Sequence, residues 1–189
     1  VLVSVLICFV IGVPLGVIAS YNKWYRDIQN VVLDAMQTLP YFCYLIPVLM
    51  FFGGNIVSAV IATVIYSVPP IIRLTALGLS QVSGSYSEVS KSFGGTGIQT
   101  LNKVKFPLAV PSLVMGFNQT VIMAFAMQIV TPLIGGKGLG LQVFNALQRS
   151  DTGRGLSAGL AIVLLAIIID RITHAWTKKQ RQALGLDKS

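Results

Sequence analysis

Charge is what this chain has least of. Asp, Glu, Lys and Arg make up 11% of its 189 residues, where soluble domains carry roughly 25%. That shortfall excludes an ordinary water-facing globule. Only 6 residues are acidic and one is a histidine, so the clustered groups that acid–base catalysis or a metal site needs are lacking. Cys8 and Cys43 lie far apart in apolar stretches and form no CxxC pair, which leaves them as small packing residues. The Gly-rich runs GGTG and GGKGLG lack the G-x-x-x-x-G-K-[ST] order of a phosphate loop, so no ATP site and no cofactor is expected in the chain itself. Disorder is excluded by a hydrophobic content of 54% and a mean hydropathy of +0.76, since disordered segments are poor in apolar residues. What remains is a chain dissolved largely in lipid. Its net charge of +8 would point to nucleic acid in a soluble protein. Here the basic residues belong in short loops, where they set membrane orientation.

Five apolar stretches follow one another, at roughly 1–20, 28–52, 56–80, 106–133 and 155–175. Each is near the ~20 residues that cross the hydrocarbon as a helix. They lack the two-residue alternation of barrel strands, so an all-α membrane protein with a five-helix core is expected. The first stretch is long enough to span and has no basic leader, so it reads as a membrane helix of a longer protein whose N-terminal part precedes Val1. Gly53-Gly54-Asn55 reads as a tight turn, and Gly12-x-x-x-Gly16 around Pro14 as a face for close helix packing. A single membrane domain is expected over 1–180, with a tail over 181–189. Lys23, Arg26, Lys91, Lys103, Lys105, Lys178, Lys179, Arg181 and Lys188 fall in alternate loops, against Lys137, Arg149 and Arg154 in the others. Nine against three puts the first set and the C-terminus in the cytoplasm. Trp24, Tyr21, Tyr25 and Trp176 sit at the same boundaries, as an aromatic belt does.

Ionisable groups inside spans are costly and mark ties or pathways. Asp34 and Arg73 fall in the inner halves of the second and third stretches and are able to pair. Asp170 and His174 are four apart on the fifth and share a face. Both pairs read as structural ties or as parts of a functional network. Met115, Asn118, Gln119 and Ile122 share a face of the fourth stretch by spacing. Polar groups at that depth either bond across helices or line a wet pathway. Beyond them Gln128 and Thr131-Pro132 mark a break. Tyr41, Phe42 and Tyr44 read as packing aromatics, or as faces for a quaternary ammonium.

The segment between the third and fourth stretches, 81–107, is too long and too polar for a plain connection. It reads as a short helix after Ser85 or Ser87, a break at Gly94, Gly95 and Gly97, and a second short helix near 98–103. Phe93, Ile98 and Leu101 supply apolar contacts for a compact knob, suited to a groove on a soluble partner. Within it stand Glu88-Val89-Ser90, then Lys91-Ser92-Phe93, Gly94, nine residues, and Val104-Lys105-Phe106-Pro107. This spacing resembles the cytoplasmic loop of the membrane subunits of binding-protein-dependent ABC importers: Glu-Ala-Ala, three residues, Gly, nine residues, Ile-x-Leu-Pro. Val89 and Ser90 replace the alanines, and Val104 and Phe106 replace the Ile and Leu. The stretches LDAMQTLPYFCYLIPVLMFFG, SVPPIIRLTALGLSQV, KVKFPLAVPSLVMGFNQTVIMA, IGGKGLGLQV and AIIIDRITHAW are similar to one branch, the permeases of glycine betaine/proline importers.

The resemblance implies a MetI-like permease in a bacterial or archaeal cytoplasmic membrane, multi-pass and not itself an enzyme. It implies a second copy as a homodimer partner, cytoplasmic ATP-binding subunits carrying ATP and Mg, and an external binding protein or fused domain. It assigns ATPase coupling to Glu88, Ser90, Phe93, Gly94, Gly97, Phe106 and Pro107, with Glu88 capping or salt-linking the knob and Pro107 starting the fourth helix. Candidates along the path are Met115, Asn118, Gln119, Tyr41 and Tyr44. Glycine betaine, proline betaine, choline, carnitine and sulfonium compounds are the open substrates. The rival readings are a self-powered secondary transporter or channel, which asks for carboxylates near the midplane, and a membrane enzyme, which asks for clustered catalytic groups.

Overall fold

The computed structural model describes residues 1–183, with side chains described through 175. Trp176, Lys178, Lys179, Arg181 and Lys188, expected at the cytoplasmic boundary, therefore lie outside the described side chains. Among the described residues there are helices and no strands. Helix α1 spans Leu2–Tyr21, α2 Lys23–Thr38, α3 Phe42–Phe52, α4 Ile56–Ser67 and α5 Pro69–Ser80. Next come α6, Gly84–Ser92, and α7, Gly97–Thr100, followed by a π turn over Leu101–Lys105. Then α8 runs over Phe106–Gln128, α9 over Leu139–Gln148 and α10 over Thr152–Ala183. Four helical runs are long and apolar enough to cross a membrane, or five if the bent pair α2–α3 counts as one.

That pair departs from the straight helix expected over 28–52. Helices α2 and α3 meet at 95°. The cause is Pro40, which pushes Leu39 out of the helical region to φ −70°, ψ 132° and has no N–H to continue the ladder. The carbonyl left without its i+4 donor is that of Met36, and the Tyr44 hydroxyl donates to it. Asn22 starts α2 by accepting from the Tyr25 N–H at 3.2 Å, and Asn55 starts α4 by accepting from Ser58 N–H at 3.0 Å. Side-chain oxygens of this kind satisfy the first orphan donors of a helix.

Helix α5 is the centre of the bundle, packed most extensively against α8 and α1. It approaches α1 at Gly16, where an added Cβ would stand 2.6 Å from Thr75 Cβ and 2.7 Å from the Ile72 carbonyl oxygen. Backbones this close gain dispersion contacts that larger residues would forbid. Buried Cys8 stands 3.4 Å from Ser67 Oγ in the neighbouring layer. Helix α10 leans on α8 and α9 and leaves Leu156, Leu160, Val163, Leu164, Ile167 and Ile168 exposed, as a helix facing lipid or another subunit does.

The fourth span differs from the expectation of a helix starting near 106. The helical run is continuous from Gly97 to Gln128, 32 residues, so the knob has one free helix, and the other is the root of α8. Thr96 and Gln99 close a capping box at its start: Gln99 Oε1 accepts from Thr96 N–H at 2.9 Å, and Thr96 Oγ1 accepts from Gln99 N–H at 3.4 Å. Pro107 therefore lies inside a continuous helix. The π turn makes this possible: the Phe106 N–H reaches back to the Leu101 carbonyl, and the extra residue moves the preceding carbonyls clear of the proline ring. Helix α9 was not expected. It forms part of the return from α8 to α10 and is joined to α8 by a turn of 3₁₀ helix over Thr131–Ile134. The helix of α10 also runs through Ala183, past the expected start of a tail at 181.

Candidate coupling knob and membrane path

One end of the bundle gathers Tyr21, the root of α8 and the knob. Lys105 Nζ lies 4.9 Å over the Tyr21 ring, a cation–π contact that ties the two chain segments. The other end gathers Val1, Ile56, Gln128 and Lys137 around one cavity.

In the knob, Gly94 turns the chain with φ +76°, a left-handed conformation that costs other L-residues roughly 1–2 kcal/mol. The Ser90 and Thr100 hydroxyls meet at 2.8 Å across the turn, and the Gly95 N–H donates to the Ser90 carbonyl at 2.9 Å. Ser90 is thus a pin that sets the angle between α6 and the root of α8. Gly97 has an ordinary negative φ and open space around it. Of the apolar contacts expected for the knob, Leu101 makes its own against the bundle, beside Leu79, Ala109 and Leu113, whereas Phe93 is 88% exposed and Ile98 73%. Both point away from the chain, with Val89 and Tyr86 also exposed. Glu88 is exposed, and among the described residues its carboxylate forms no ion pair. The expected cap or salt link is therefore replaced by a free charge on the surface. Phe106 packs at the root, against the Leu79, Ala109 and Leu113 cluster.

Within the spans, the expected shared face on α8 is divided. Met115, Gln119 and Ile122 are exposed, whereas Asn118 is buried. The reason is packing: 118 lies only about 40° round the helix from 122, but on the flank that the bundle covers, where Val114 and Val121 are also buried. Among the described residues, Asn118 Oδ1 is buried without a hydrogen-bond partner, as are Thr120 Oγ1 and Thr75 Oγ1. Tyr41 is exposed beside Phe42, with ring centroids 4.7 Å apart. Tyr44 is half-buried, edge-on to Tyr66 at 6.1 Å, and its hydroxyl is occupied at Met36. Tyr44 therefore serves the bend.

Arg73 Nη2 donates to Asp34 Oδ1 at 2.6 Å, joining α5 to α2. His174 Nε2 stands 3.3 Å from Asp170 Oδ1 on the outer helix α10. The first pair stands in a cavity of about 400 Å³ with Arg26, Asn30, Leu77 and Ser80 on its walls. The sequence reading missed those neighbours, although Arg26, Asn30 and Asp34 are spaced i, i+4, i+8 on one helix face. A second, purely apolar cavity of about 390 Å³ lies between α1, α8 and α10, walled by Phe9, Phe106, Val114 and Phe117. No group of three or more potential metal ligands occurs among the described residues.

Residues 12–182 match the family described as the binding-protein-dependent transport system inner membrane component. The chain belongs to this family. As a member it is similar to the glycine betaine/carnitine transport permease protein GbuB of Listeria monocytogenes, 46% identical over 96% of this chain and 64% of that protein. It is 44% identical to the glycine betaine transport system permease protein OpuAB of Bacillus subtilis, over 92% of this chain and 62% of the relative. It is also 44% identical to the glycine betaine/proline betaine transport system permease protein ProW of Escherichia coli, over 96% and 51%. The chain thus spans between half and two thirds of the length of these relatives. The inner membrane component fold is shared with a chain of the inward-facing MetNI methionine ABC transporter, at a TM-score of 0.82 and 20% identity over 94% of this chain and 89% of that one. In an inner membrane component, a knob with outward-pointing aromatics and a polar pair within its spans are features to test.

Proposed function

We propose that this chain is the membrane-spanning core of an ATP-driven importer of glycine betaine-class solutes, working as two copies around a shared path. The observation that carries the reading is the identity of 42–46% to four permease proteins that are each named for glycine betaine. It is supported by the exposed aromatic knob around Phe93. An external binding protein or fused domain delivers the solute. Cytoplasmic ATPase subunits, which hold ATP and Mg, close on nucleotide and receive the knob in a groove. Phe93 and Ile98 are the anchors there, since buried aromatic and aliphatic anchors carry most of an interface's affinity. Gly94 and the Ser90–Thr100 pin keep the knob stiff, so that its displacement is passed along the unbroken helix from Gly97 into the membrane. Gly97 begins that helix, Phe106 and Pro107 root it in the bundle, and Glu88 offers a charge to the partner. The knob and the C-terminus lie in the cytoplasm, as the nine basic residues against three direct.

The exposed Met115, Gln119 and Ile122 stripe is the face of α8 offered to the second copy and to the path. A polar Gln on an otherwise apolar exposed stripe is costly against lipid and useful against water. Asn118 is buried behind it, with its Oδ1 unpartnered among the described residues. Carnitine is the second substrate to include, because a relative at 46% identity is named for it. The test is reconstitution of the full transporter in vesicles with ATPase and binding protein. ATP turnover stimulated by glycine betaine, with accumulation of the solute, is the expected result. Accumulation without any ATPase would replace the reading with a self-powered transporter.

A further inference from the structure

The Asp34–Arg73 pair is the one cross-helix ion pair between spans among the described residues, yet it is poorly sheltered. The Arg73 side chain is 37% exposed and that of Asp34 63%. A charged pair within a span cannot face hydrocarbon at that exposure, so its cavity is water-filled or covered by protein. An ion pair this wet is also weak, and its partners are free to exchange. Arg73 has donors to spare: one Nη engages Asp34, and its Nε is buried with no partner among the described residues. A guanidinium offers five N–H donors in a planar fork that matches a carboxylate.

Resting on the importer reading above, we propose that this cavity is a transit site for the transported zwitterion near the inner end of the path. The solute's carboxylate takes the Arg73 guanidinium, and its quaternary ammonium lies against Asp34. Neither charge of the resident pair is left uncompensated, and the site gains no net charge. A simple cation would meet the guanidiniums of Arg73 and Arg26 against the one carboxylate of Asp34, and a simple anion would bring no cationic group to Asp34. Each engages only half of the pair at an exposed site, where a single charge contact is worth little. A zwitterion replaces one ion pair by two. Asn30 and Ser80 on opposite walls supply neutral polar groups, and Leu77 an apolar surface for methyl groups. The cavity, about 400 Å³, is larger than a methylated glycine needs, which suits passage more than retention.

The experiment uses the complete transporter, with ATPase and binding protein, in phosphatidylglycerol vesicles or nanodiscs free of zwitterionic lipid. With ¹⁵N-labelled arginine, the Arg73 Nε resonance, assigned through its loss in R73Q, is followed during titration with glycine betaine, choline and acetate. A shift with glycine betaine, a smaller one with acetate and none with choline at equal concentration is expected. In parallel, the double variant D34N/R73Q removes both charges and leaves a neutral amide at each position. Its glycine betaine uptake is expected to fall about tenfold or more, the loss that one charge-assisted hydrogen bond produces, while ATPase stimulation by the loaded binding protein persists. Wild-type uptake by the double variant, an Arg73 resonance that ignores glycine betaine, or one that answers only when phosphatidylcholine is added to the membrane would each overturn the site. Absence of ATP-driven uptake in the wild type would instead strike the importer reading, and the titration would still judge the site.

Discussion

The Tyr44 hydroxyl donates to the carbonyl of Met36, the group that Pro40 leaves without its helical donor. The bend at 39–41 is therefore a satisfied structure: the proline opens the ladder and an aromatic four residues later closes it. Tyr44→Phe keeps the ring and its contact with Tyr66 but orphans that carbonyl. An expected loss of about 1–3 kcal/mol follows from leaving a polar group unpaired away from water. Thermal unfolding of the purified transporter checks it. Because the ring remains, the concentration of solute giving half-maximal uptake should not change, whereas a cation–π role tuned by the phenol would shift it.

Gly94→Val places a β-branched residue at φ +76°. Open space surrounds the position, so backbone conformation is the whole cost, roughly 1–2 kcal/mol confined to the turn. Membrane insertion should be intact, while solute taken up per ATP hydrolysed falls. A coupling ratio equal to wild type would remove the knob from the mechanism.

Phe93 is 88% exposed and contributes little to the fold by packing. Phe93→Ser should leave the melting temperature of the membrane subunit unchanged and lower recovery of ATPase on affinity purification. An anchor residue of this size is worth about 2 kcal/mol or more at an interface, which is roughly thirtyfold in dissociation constant. Equal recovery would assign the docking surface elsewhere.

Deleting Asn102, an exposed residue of the π turn, removes the extra residue that clears the Pro107 ring, so the helix should kink there as well as change register. The knob would then rotate by about 100° relative to α8, the angle of one helical residue. Distances between spin labels on the knob and on α8 should change, and coupling should fail with the fold retained.

Gly16→Ala tests the centre of the bundle. Its new Cβ would meet Thr75 and the Ile72 carbonyl at 2.6 and 2.7 Å, and overpacking of this kind costs about 1–3 kcal/mol. Gly84→Ala, with nothing within 4 Å, is the matched control and should unfold at the wild-type temperature.

Composition and the long apolar runs were enough to read a helical membrane protein, because lipid leaves the backbone few ways to satisfy its own hydrogen bonds. The Glu88, Gly94 and Pro107 spacing was enough to mark a knob and a family, since fixed anchors in one loop are local information. The bend at Pro40 and the helix start at Thr96 and Gln99 also rest on local signals. Tertiary structure alone decided the rest: packing between helices turned Asn118 inward and Gln119 outward and set Arg73 on Asp34 across 39 positions. Such features depend on which faces of neighbouring helices meet, and a uniformly apolar span carries almost no periodic signal to say which face that is.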